Sequence, residues 1–501
     1  MVRRIAVVAL AFAGVVVGQG VLADFEPPPP PDPQRRKGGE SFPPGPPPLP
    51  GPVTPLRRTE KKRPPAPPAL LGKVRYGKPV WKTTDDGRRF SYHDWASDTS
   101  DAHYLVETAN AKLNVNYREI ELSLDGFSFS PSETPILYIT GHEEFAFSEE
   151  EVRKLRSFLT DGGYLIGDAC CGAAKLSEAF RREMGRVFPD RHLKRLPPDH
   201  PLFHSFYGID EVTTIREGKT VKGRPALFGI ELGCRLAVLL FPDDVSCGWA
   251  RHVHPQGSRI QPEDAVKLGV NFITLALASY QYGQLWSTRK VYFQKKEQTR
   301  EEFVIGQVIH TGDWDPAPSA IAKLLRYVGE NSTVDVQFKR ADVDLAKADV
   351  FKQPVLYMTG HDDFELQQSE ITALRSYLTN GGVLIADACC GREAFDAAFR
   401  RELRRVFPDK NLERLPLNHQ IFSACTNITT VEYTEPIRER NPGWNEPYLE
   451  AITVGGVAAV IYSKYAIGAG WQGFSSPFTK GYAPADALRL GLNIITYAMT
   501  H

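Results

Sequence analysis

Two pairs of adjacent cysteines are the residues of this sequence whose types and spacing best suit chemistry. They occur in the segments Asp168-Ala-Cys-Cys-Gly172 and Asp387-Ala-Cys-Cys-Gly391. Each segment follows a short apolar run and precedes a helical pattern, so we expect the cysteines at the carboxyl edge of a sheet, where α/β proteins bind ligands. A helix N-terminus at that edge lowers the pKa of a thiol from about 8.5 and favours the nucleophilic thiolate.

Histidines and aspartates near the cysteines supply candidate catalytic partners. A histidine that ends a neighbouring apolar run could act as a base or an electrophile, and the aspartate before each cysteine pair could orient either group. The candidate catalytic residues are Cys170, Cys171, His142 and Asp168 in one segment and Cys389, Cys390, His361 and Asp387 in the other. The alternative is a buried thiol pair with a structural role only, in which Asp168 caps the following helix.

The standard motifs for zinc and phosphate binding are absent from the sequence. His142-Glu-Glu144 and His361-Asp-Asp363 could contribute to an oxygen-rich metal site, but a solvated loop with ordinary acidic residues is the favoured interpretation. Adjacent cysteines are poorly placed to bind one tetrahedral zinc ion, and no Cys-x-x-Cys or His-Glu-x-x-His motif occurs. No glycine-rich phosphate-binding loop of a standard type occurs either. We therefore expect no metal and no cofactor.

The chain contains an internal duplication with an offset of 219 residues. Aligned without gaps, residues 135–200 and 354–419 agree at 37 of 66 positions, and Asp94-Trp95 matches Asp313-Trp314 at the same offset. Solenoid repeats have periods of about 20–50 residues, so this longer period predicts two tandem domains. We place the domains at residues 88–284 and 303–501, with a charged linker at 285–302.

Strand and helix patterns alternate within each copy. In the first copy, residues 135–140 and 164–166 are apolar runs suited to buried strands. Ser148-Glu-Glu-Glu151 has the pattern of a capping box that opens a helix over 152–159, and a second helix is predicted over 175–186. This alternation predicts the α/β class, with a mainly parallel sheet covered by helices on both faces.

The N-terminal region differs in composition from the rest of the 501-residue chain. Residues 1–23 have the charged start, apolar stretch and small-residue end of a signal peptide, with an uncleaved anchor as the alternative. Residues 24–80 hold 19 of the 39 prolines, and we expect a disordered tether there that contributes no core. The sequence therefore predicts an exported protein, periplasmic or secreted, with no transmembrane span after cleavage.

The motifs of the duplicated segments resemble a bacterial family known only as domain of unknown function 4159. The resemblance rests on the Gly-His-acidic-acidic-Phe segment, the Gly-Gly turn before the cysteine strand, the Phe-Arg-Arg-Glu helix and the Arg-Leu-Pro stretch. It implies two tandem domains with the flavodoxin-like fold of class I glutamine amidotransferases and of trehalose-utilisation-type proteins. The late His-x-Glu pair of the amidotransferases is missing in both copies.

Two functional hypotheses follow from these residues. The first is a non-enzymatic or degenerate ligand-binding and scaffolding protein of the cell envelope, because two linked copies of a binding module gain from effective concentration. Its candidate partners are envelope proteins or wall polymers. Lys+Arg and Asp+Glu both number 60, which gives no basic excess for nucleic acid. The alternative is a cysteine-dependent hydrolase or amidotransferase-like enzyme, which a histidine within about 4 Å of one thiol would favour.

Overall fold

The computed structural model describes residues 66–252, 257–288, 302–332, 337–473 and 476–501. The predicted signal peptide and most of the predicted tether lie outside these residues. Within the described part of the chain, no helix is both long enough and apolar enough to cross a membrane.

The first domain contains twelve strands and five α-helices among its described residues. The strands are β1 (Ala69–Arg75), β2 (Val80–Thr83), β3 (Arg89–Tyr92), β4 (Arg118–Ser123), β5 (Ile136–Gly141), β6 (Tyr164–Ala169), β7 (Lys194–Arg195), β8 (Val212–Arg216), β9 (Lys219–Gly223), β10 (Phe228–Leu232), β11 (Arg235–Phe241) and β12 (Ser258–Ile260). The helices are α1 (Asp101–Leu113), α2 (Glu149–Thr160), α3 (Ala174–Val187), α4 (Ser246–Trp249) and α5 (Pro262–Thr288).

Seven of these strands form one mixed sheet in the order β4-β1-β5-β6-β11-β10-β7. The first five strands of this series are parallel to one another, and β10 and β7 are antiparallel to their neighbours. The strand order reverses between β1 and β5, and in doubly wound sheets ligands bind at the carboxyl edge near such a reversal. Two smaller sheets, β12-β8-β9 and β2-β3, lie outside the main sheet.

The second domain repeats this architecture. Its strands are β13 (Glu302–Ile309), β14 (Gln337–Asp344), β15 (Val355–Gly360), β16 (Val383–Ala388), β17 (Glu413–Arg414), β18 (Glu450–Val454) and β19 (Val457–Ser463). Its helices are α6 (Ala320–Asn331), α7 (Gln368–Thr379), α8 (Glu393–Val406), α9 (Glu435–Arg440), α10 (Gly468–Trp471) and α11 (Pro484–Thr500). The sheet order β14-β13-β15-β16-β19-β18-β17 is that of the first domain, element for element.

The local patterns of the sequence explain the central elements. The Ser148 hydroxyl accepts a hydrogen bond from the Glu151 amide, and the Glu151 carboxylate accepts one from the Ser148 amide, so the predicted capping box starts α2. The strands β5 and β6 are buried at every position, as expected for a parallel sheet with two covered faces. Separate apolar clusters fill the two faces of each sheet. The predicted α/β class and the two tandem domains are confirmed.

Two boundaries of the sequence analysis need correction. Strand β1 falls within the predicted tether but lies inside the sheet between β4 and β5, and its Leu70, Leu71 and Val74 are buried. The proline-rich composition of the preceding residues concealed this strand. At the other end of the domain, α5 continues into the predicted linker as far as Thr288, and β13 already begins at Glu302.

We predict that two N-terminal truncations will behave differently. A chain that starts at residue 66 keeps β1 and should retain the melting temperature of the full chain, because a proline-rich segment contributes no core. A chain that starts at residue 81 loses a central strand and should melt several degrees lower or fail to fold. Thermal unfolding followed by circular dichroism measures both, and equal melting temperatures would contradict the place of β1 in the sheet.

Candidate active site

Each cysteine pair lies in a tight turn between a buried strand and a helix. In the first domain β6 ends at Ala169, and Cys171 adopts the left-handed conformation with φ 57° and ψ 15°. Cys390 adopts the same conformation in the second domain, with φ 54° and ψ 10°. A left-handed non-glycine residue costs about 1–2 kcal/mol, and a strained turn of this kind between strand and helix presents the nucleophile in elbow-type hydrolases.

His142 directly follows β5 and faces this turn. Its Nε2 atom lies 3.4 Å from Sγ of Cys171. The imidazole is 33% exposed, and Cys171 is half-buried, so the pair is accessible from solvent. Of the two candidate cysteines, Cys171 is therefore the one that meets the histidine, while Cys170 is buried behind it.

The carboxylate that orients His142 belongs to Asp94, in the short 3₁₀ turn after β3. Asp94 Oδ1 lies 3.3 Å from Nδ1 of His142, and the same carboxylate accepts hydrogen bonds from the backbone amides of His142 and Glu143. The hydroxyl of Tyr76 donates a further bond of 3.0 Å. Asp94, His142 and Cys171 thus form a linear series of carboxylate, imidazole and thiol, which is the arrangement of a nucleophilic triad.

The electrostatics of the site favour a thiolate at Cys171. Contacts with the thiols of Cys170 and Cys247, and then with His142, lower the pKa of Cys171 well below that of an ordinary thiol. The hydrogen bond to Asp94, followed by the contact with Cys171, raises the pKa of His142 to about 10. Burial alone would raise the pKa of Asp94, but its hydrogen bonds from His142 and Glu143 lower it. Both shifts favour a thiolate–imidazolium pair over a neutral thiol and imidazole.

The two aspartates named in the sequence analysis have a different role. Asp168 lies within β6, where its carboxylate accepts hydrogen bonds from the Thr140 hydroxyl (2.8 Å) and the Val245 amide (2.9 Å). Asp387 likewise binds the Tyr357 hydroxyl and the amides at the start of α10. Each aspartate thus connects its own strand to the short helix that follows the adjacent strand, α4 in the first domain and α10 in the second. Neither aspartate orients a histidine, and neither caps the helix after the cysteines.

Three residues near Cys171 were missed by the sequence analysis. Asp94 could have been found, because the Asp94-Trp95 pair recurs as Asp313-Trp314. Asp244 stabilises the turn, because its Oδ2 accepts a hydrogen bond of 2.8 Å from the backbone amide of Cys171. Cys247 follows on α4, with its Sγ 3.9 Å from Cys170. Asp244 and Cys247 are not repeated in the second copy, so comparison of the two copies could not have identified them.

The second domain contains the same series of groups in a buried form. Nδ1 of His361 lies 2.8 Å from Oδ2 of Asp313, which corresponds to Asp94. The His361 side chain is only 1% exposed, against 33% for His142. Cys389 and Cys390 are both buried.

The cover over this second site comes from the first domain. The turn between β10 and β11 brings Cys234 to 3.5 Å from Sγ of Cys389. Beside it, the buried Arg392 guanidinium donates a hydrogen bond of 2.7 Å to Glu231 of β10. Lys194 of the first domain also pairs with Asp362 of the second at 2.6 Å. These contacts close the carboxyl edge of the second sheet.

Among the residues that the structure describes, two groups of side chains have the composition and spacing of metal ligands. One is Cys234, His361, Cys389 and Cys390, and the other is Cys170, Cys171, Asp244 and Cys247. In the second of these groups the Asp244 oxygens already accept hydrogen bonds from Ser246, Cys247 and Cys171. The first group contains a histidine nitrogen with no such partner, as described below.

The fold and this site together define an α/β protein with two tandem copies of a strand-end cysteine turn. The family model described as Domain of unknown function (DUF4159) matches residues 71–277 and 304–499. These two matches span most of the chain, so the protein belongs to this family, with one member domain in each half. No curated protein matches the chain.

We predict that Cys171 will be the fastest-reacting cysteine of the native protein. Its lowered pKa keeps the thiolate populated below about pH 8.5, where an ordinary thiol is mostly protonated. Alkylation by iodoacetamide should therefore proceed at Cys171 at neutral pH, while Cys170, Cys389 and Cys390 stay unlabelled because they are buried. The His142→Ala substitution removes one source of this stabilisation and should slow labelling at neutral pH several-fold.

Peptide mass spectrometry at a series of reaction times and pH values measures these rates. The exposed Cys425 serves as the reference thiol within the same sample. A Cys171 rate that is no faster than the Cys425 rate at neutral pH, or that rises only near pH 8.5 as for an ordinary thiol, would rule out the thiolate.

Proposed function

We propose that the first domain is a cysteine-dependent acyl-transfer enzyme, a hydrolase that cleaves amide or ester bonds. The observation that carries this proposal is the 3.4 Å contact between Nε2 of His142 and Sγ of the half-buried Cys171. A histidine within about 4 Å of one thiol favours a cysteine-dependent enzyme over a scaffolding protein, and this contact is within that distance. Asp94 on the opposite ring nitrogen completes the set of groups that nucleophilic catalysis requires.

In the first half of the proposed reaction, the Cys171 thiolate attacks the carbonyl carbon of the substrate. A carbon–sulfur bond forms, and the electron pair of the carbonyl double bond moves to its oxygen. In strand–turn–helix elbows the amide directly after the nucleophile donates to that oxygen, and in this proposal Gly172 has that role. The intermediate then expels its amine or alcohol, which takes the proton from Nε2 of His142, and a thioester remains on Cys171.

In the second half, water hydrolyses the thioester. Neutral His142 takes a proton from the attacking water, the carbon–sulfur bond breaks, and the electron pair returns to Sγ of Cys171. The carboxylic acid leaves, and the thiolate–imidazolium pair is restored. Asp94 holds the imidazole in one orientation throughout and stabilises its protonated form, as the buried carboxylate of a triad does.

The second domain has a non-catalytic role in this proposal. Its histidine is 1% exposed, and the cavity beside Cys390 and Arg392 measures about 10 Å³, which is room for about one water molecule. A substrate cannot reach this thiol while the domains are in contact. The scaffolding role considered for the whole chain therefore applies to this domain. Export by a signal peptide, with the proline-rich segment as a tether, is a further part of the proposal.

We predict that p-nitrophenyl acetate, a small activated ester, will acetylate Cys171 and that the acetyl group will then be hydrolysed. Cys171→Ala should abolish both steps, because it removes the nucleophile. His142→Ala should slow the reaction about 10²–10⁴-fold, which is the usual contribution of a general acid or base. Release of p-nitrophenolate measures turnover, and mass spectrometry of acid-quenched protein locates the acetyl group.

The control for this experiment is Cys425→Ser, which removes an exposed thiol far from the site in sequence and should leave the rate unchanged. The proposal fails if the acetyl group is found on Cys425 rather than on Cys171. It fails equally if His142→Ala reacts as fast as the unmodified sequence.

A further inference from the structure

Four side chains from the two domains converge where the first domain covers the second. Cys234 lies in the turn between β10 and β11, His361 directly follows β15, and Cys389 and Cys390 directly follow β16. Their three sulfur atoms and one ring nitrogen all lie within 4.8 Å of one another. The catalytic proposal uses none of these residues.

The spacing of these atoms suits a tetrahedral zinc ion. Adjacent cysteines were expected to be poorly placed for one ion, but the Sγ atoms of Cys389 and Cys390 lie within 4.8 Å of each other and of the other two ligand atoms. With zinc–sulfur bonds of about 2.3 Å, two sulfurs on one tetrahedral ion lie about 3.8 Å apart. Sγ of Cys234 and Sγ of Cys389 are 3.5 Å apart. Three cysteines and one histidine are a common ligand set of structural zinc sites.

His361 provides the second and independent observation. Its Nδ1 is bound to Asp313 at 2.8 Å, which fixes the ring and leaves Nε2 as the nitrogen that faces the cysteines. Nε2 is buried and has no hydrogen-bond partner among the described residues. A carboxylate on one nitrogen and a metal on the other is the usual environment of a zinc-binding histidine.

Comparison of the two copies shows why this group contains a residue of the first domain. Gly248-Trp249 corresponds to Gly470-Trp471, so Cys247 corresponds to Ala469 and Asp244 to Ala466. The second copy therefore lacks the third thiol and the carboxylate that surround the first cysteine pair. Cys234 in turn corresponds to Gly456 of the second copy, because both occupy the two-residue turn between paired strands. The first domain supplies the thiol that the second domain lacks.

We propose that Cys234, His361, Cys389 and Cys390 bind one Zn²⁺ ion, which links the two domains and keeps the second cysteine pair out of catalysis. Binding converts the three thiols to thiolates with release of their protons, and the imidazole binds in its neutral form. The resulting centre carries one net negative charge. The guanidinium of Arg392, buried beside Cys390, supplies positive charge next to it. All four positions are taken by protein side chains, so the site is structural.

The test measures the zinc content of the full-length protein, purified from zinc-supplemented cells and desalted, by mass spectrometry of the metal. We expect one zinc ion per chain in the unmodified sequence and almost none in Cys234→Ser. Cys247→Ser is the matched control, since it alters the other cysteine group, and it should retain the zinc. Zinc that is lost from Cys247→Ser but kept in Cys234→Ser would place the metal in the first domain and overturn the proposal.

A second measurement keeps the proposal testable if Cys234→Ser folds poorly. Metal-free protein of the unmodified sequence, first shown to be folded by circular dichroism, is titrated with Co²⁺. We expect the intense visible absorption of tetrahedral cobalt with sulfur-to-metal charge transfer, reaching its plateau at one equivalent and reversed by Zn²⁺. A folded protein that gives only the weak spectrum of octahedral cobalt would contradict the site. Unchanged domain stability on addition of Zn²⁺ would contradict the link between the domains.

Discussion

Both the proposed catalytic site and the proposed zinc site depend on one constraint, the left-handed backbone conformation of Cys171 and Cys390. A chain that leaves a buried strand and enters a helix within a few residues must reverse sharply, and here a non-glycine residue bears the strain. In the first domain Asp244 offsets part of the conformational free-energy cost, because its carboxylate accepts a hydrogen bond from the backbone amide of Cys171. The following glycines also have positive φ, and a Cβ atom on Gly172 or Gly391 would meet Ser258 or Lys480 within 3 Å. The turn directs Cys171 to the histidine at the end of the adjacent strand.

The two cysteine turns have the same backbone conformation but differ in what covers them. Both copies keep the histidine and the aspartate behind it, so the duplication preserved the whole series of groups. In the first copy the histidine remains one-third exposed, whereas in the second a strand turn of the neighbouring domain covers it. This cover closes the second cysteine pair to solvent. It also brings three thiols and one imidazole within 4.8 Å of one another. In the roles that we propose, the same residue types serve catalysis where solvent reaches them and metal binding where it does not.

The sequence predicted the parts of this arrangement that depend on local patterns. The α/β class, the two domains, the cysteine turns and the placement of His142 and His361 follow from hydrophobic runs, caps and the repeat. The prediction that Asp168 orients the histidine or the thiol was wrong. Asp168 belongs to β6, and its carboxylate accepts a hydrogen bond from the Val245 amide at the start of α4. Asp94 lies 48 residues before His142 and meets it only through the order of strands in the sheet. Cys234 depends on how the domains dock, which no local pattern encodes.

Catalysis in the first domain requires that Cys171 and His142 form an ion pair in the native protein. The ultraviolet absorbance of the Cys171 thiolate measures this pair, taken as the difference between the unmodified sequence and Cys171→Ser during a pH titration. We expect this difference to be present at neutral pH and to persist well into the acid range, because the pKa of the thiol is lowered. A difference that appears only as the pH passes about 8.5, as for an ordinary thiol, would show that Cys171 and His142 form no ion pair.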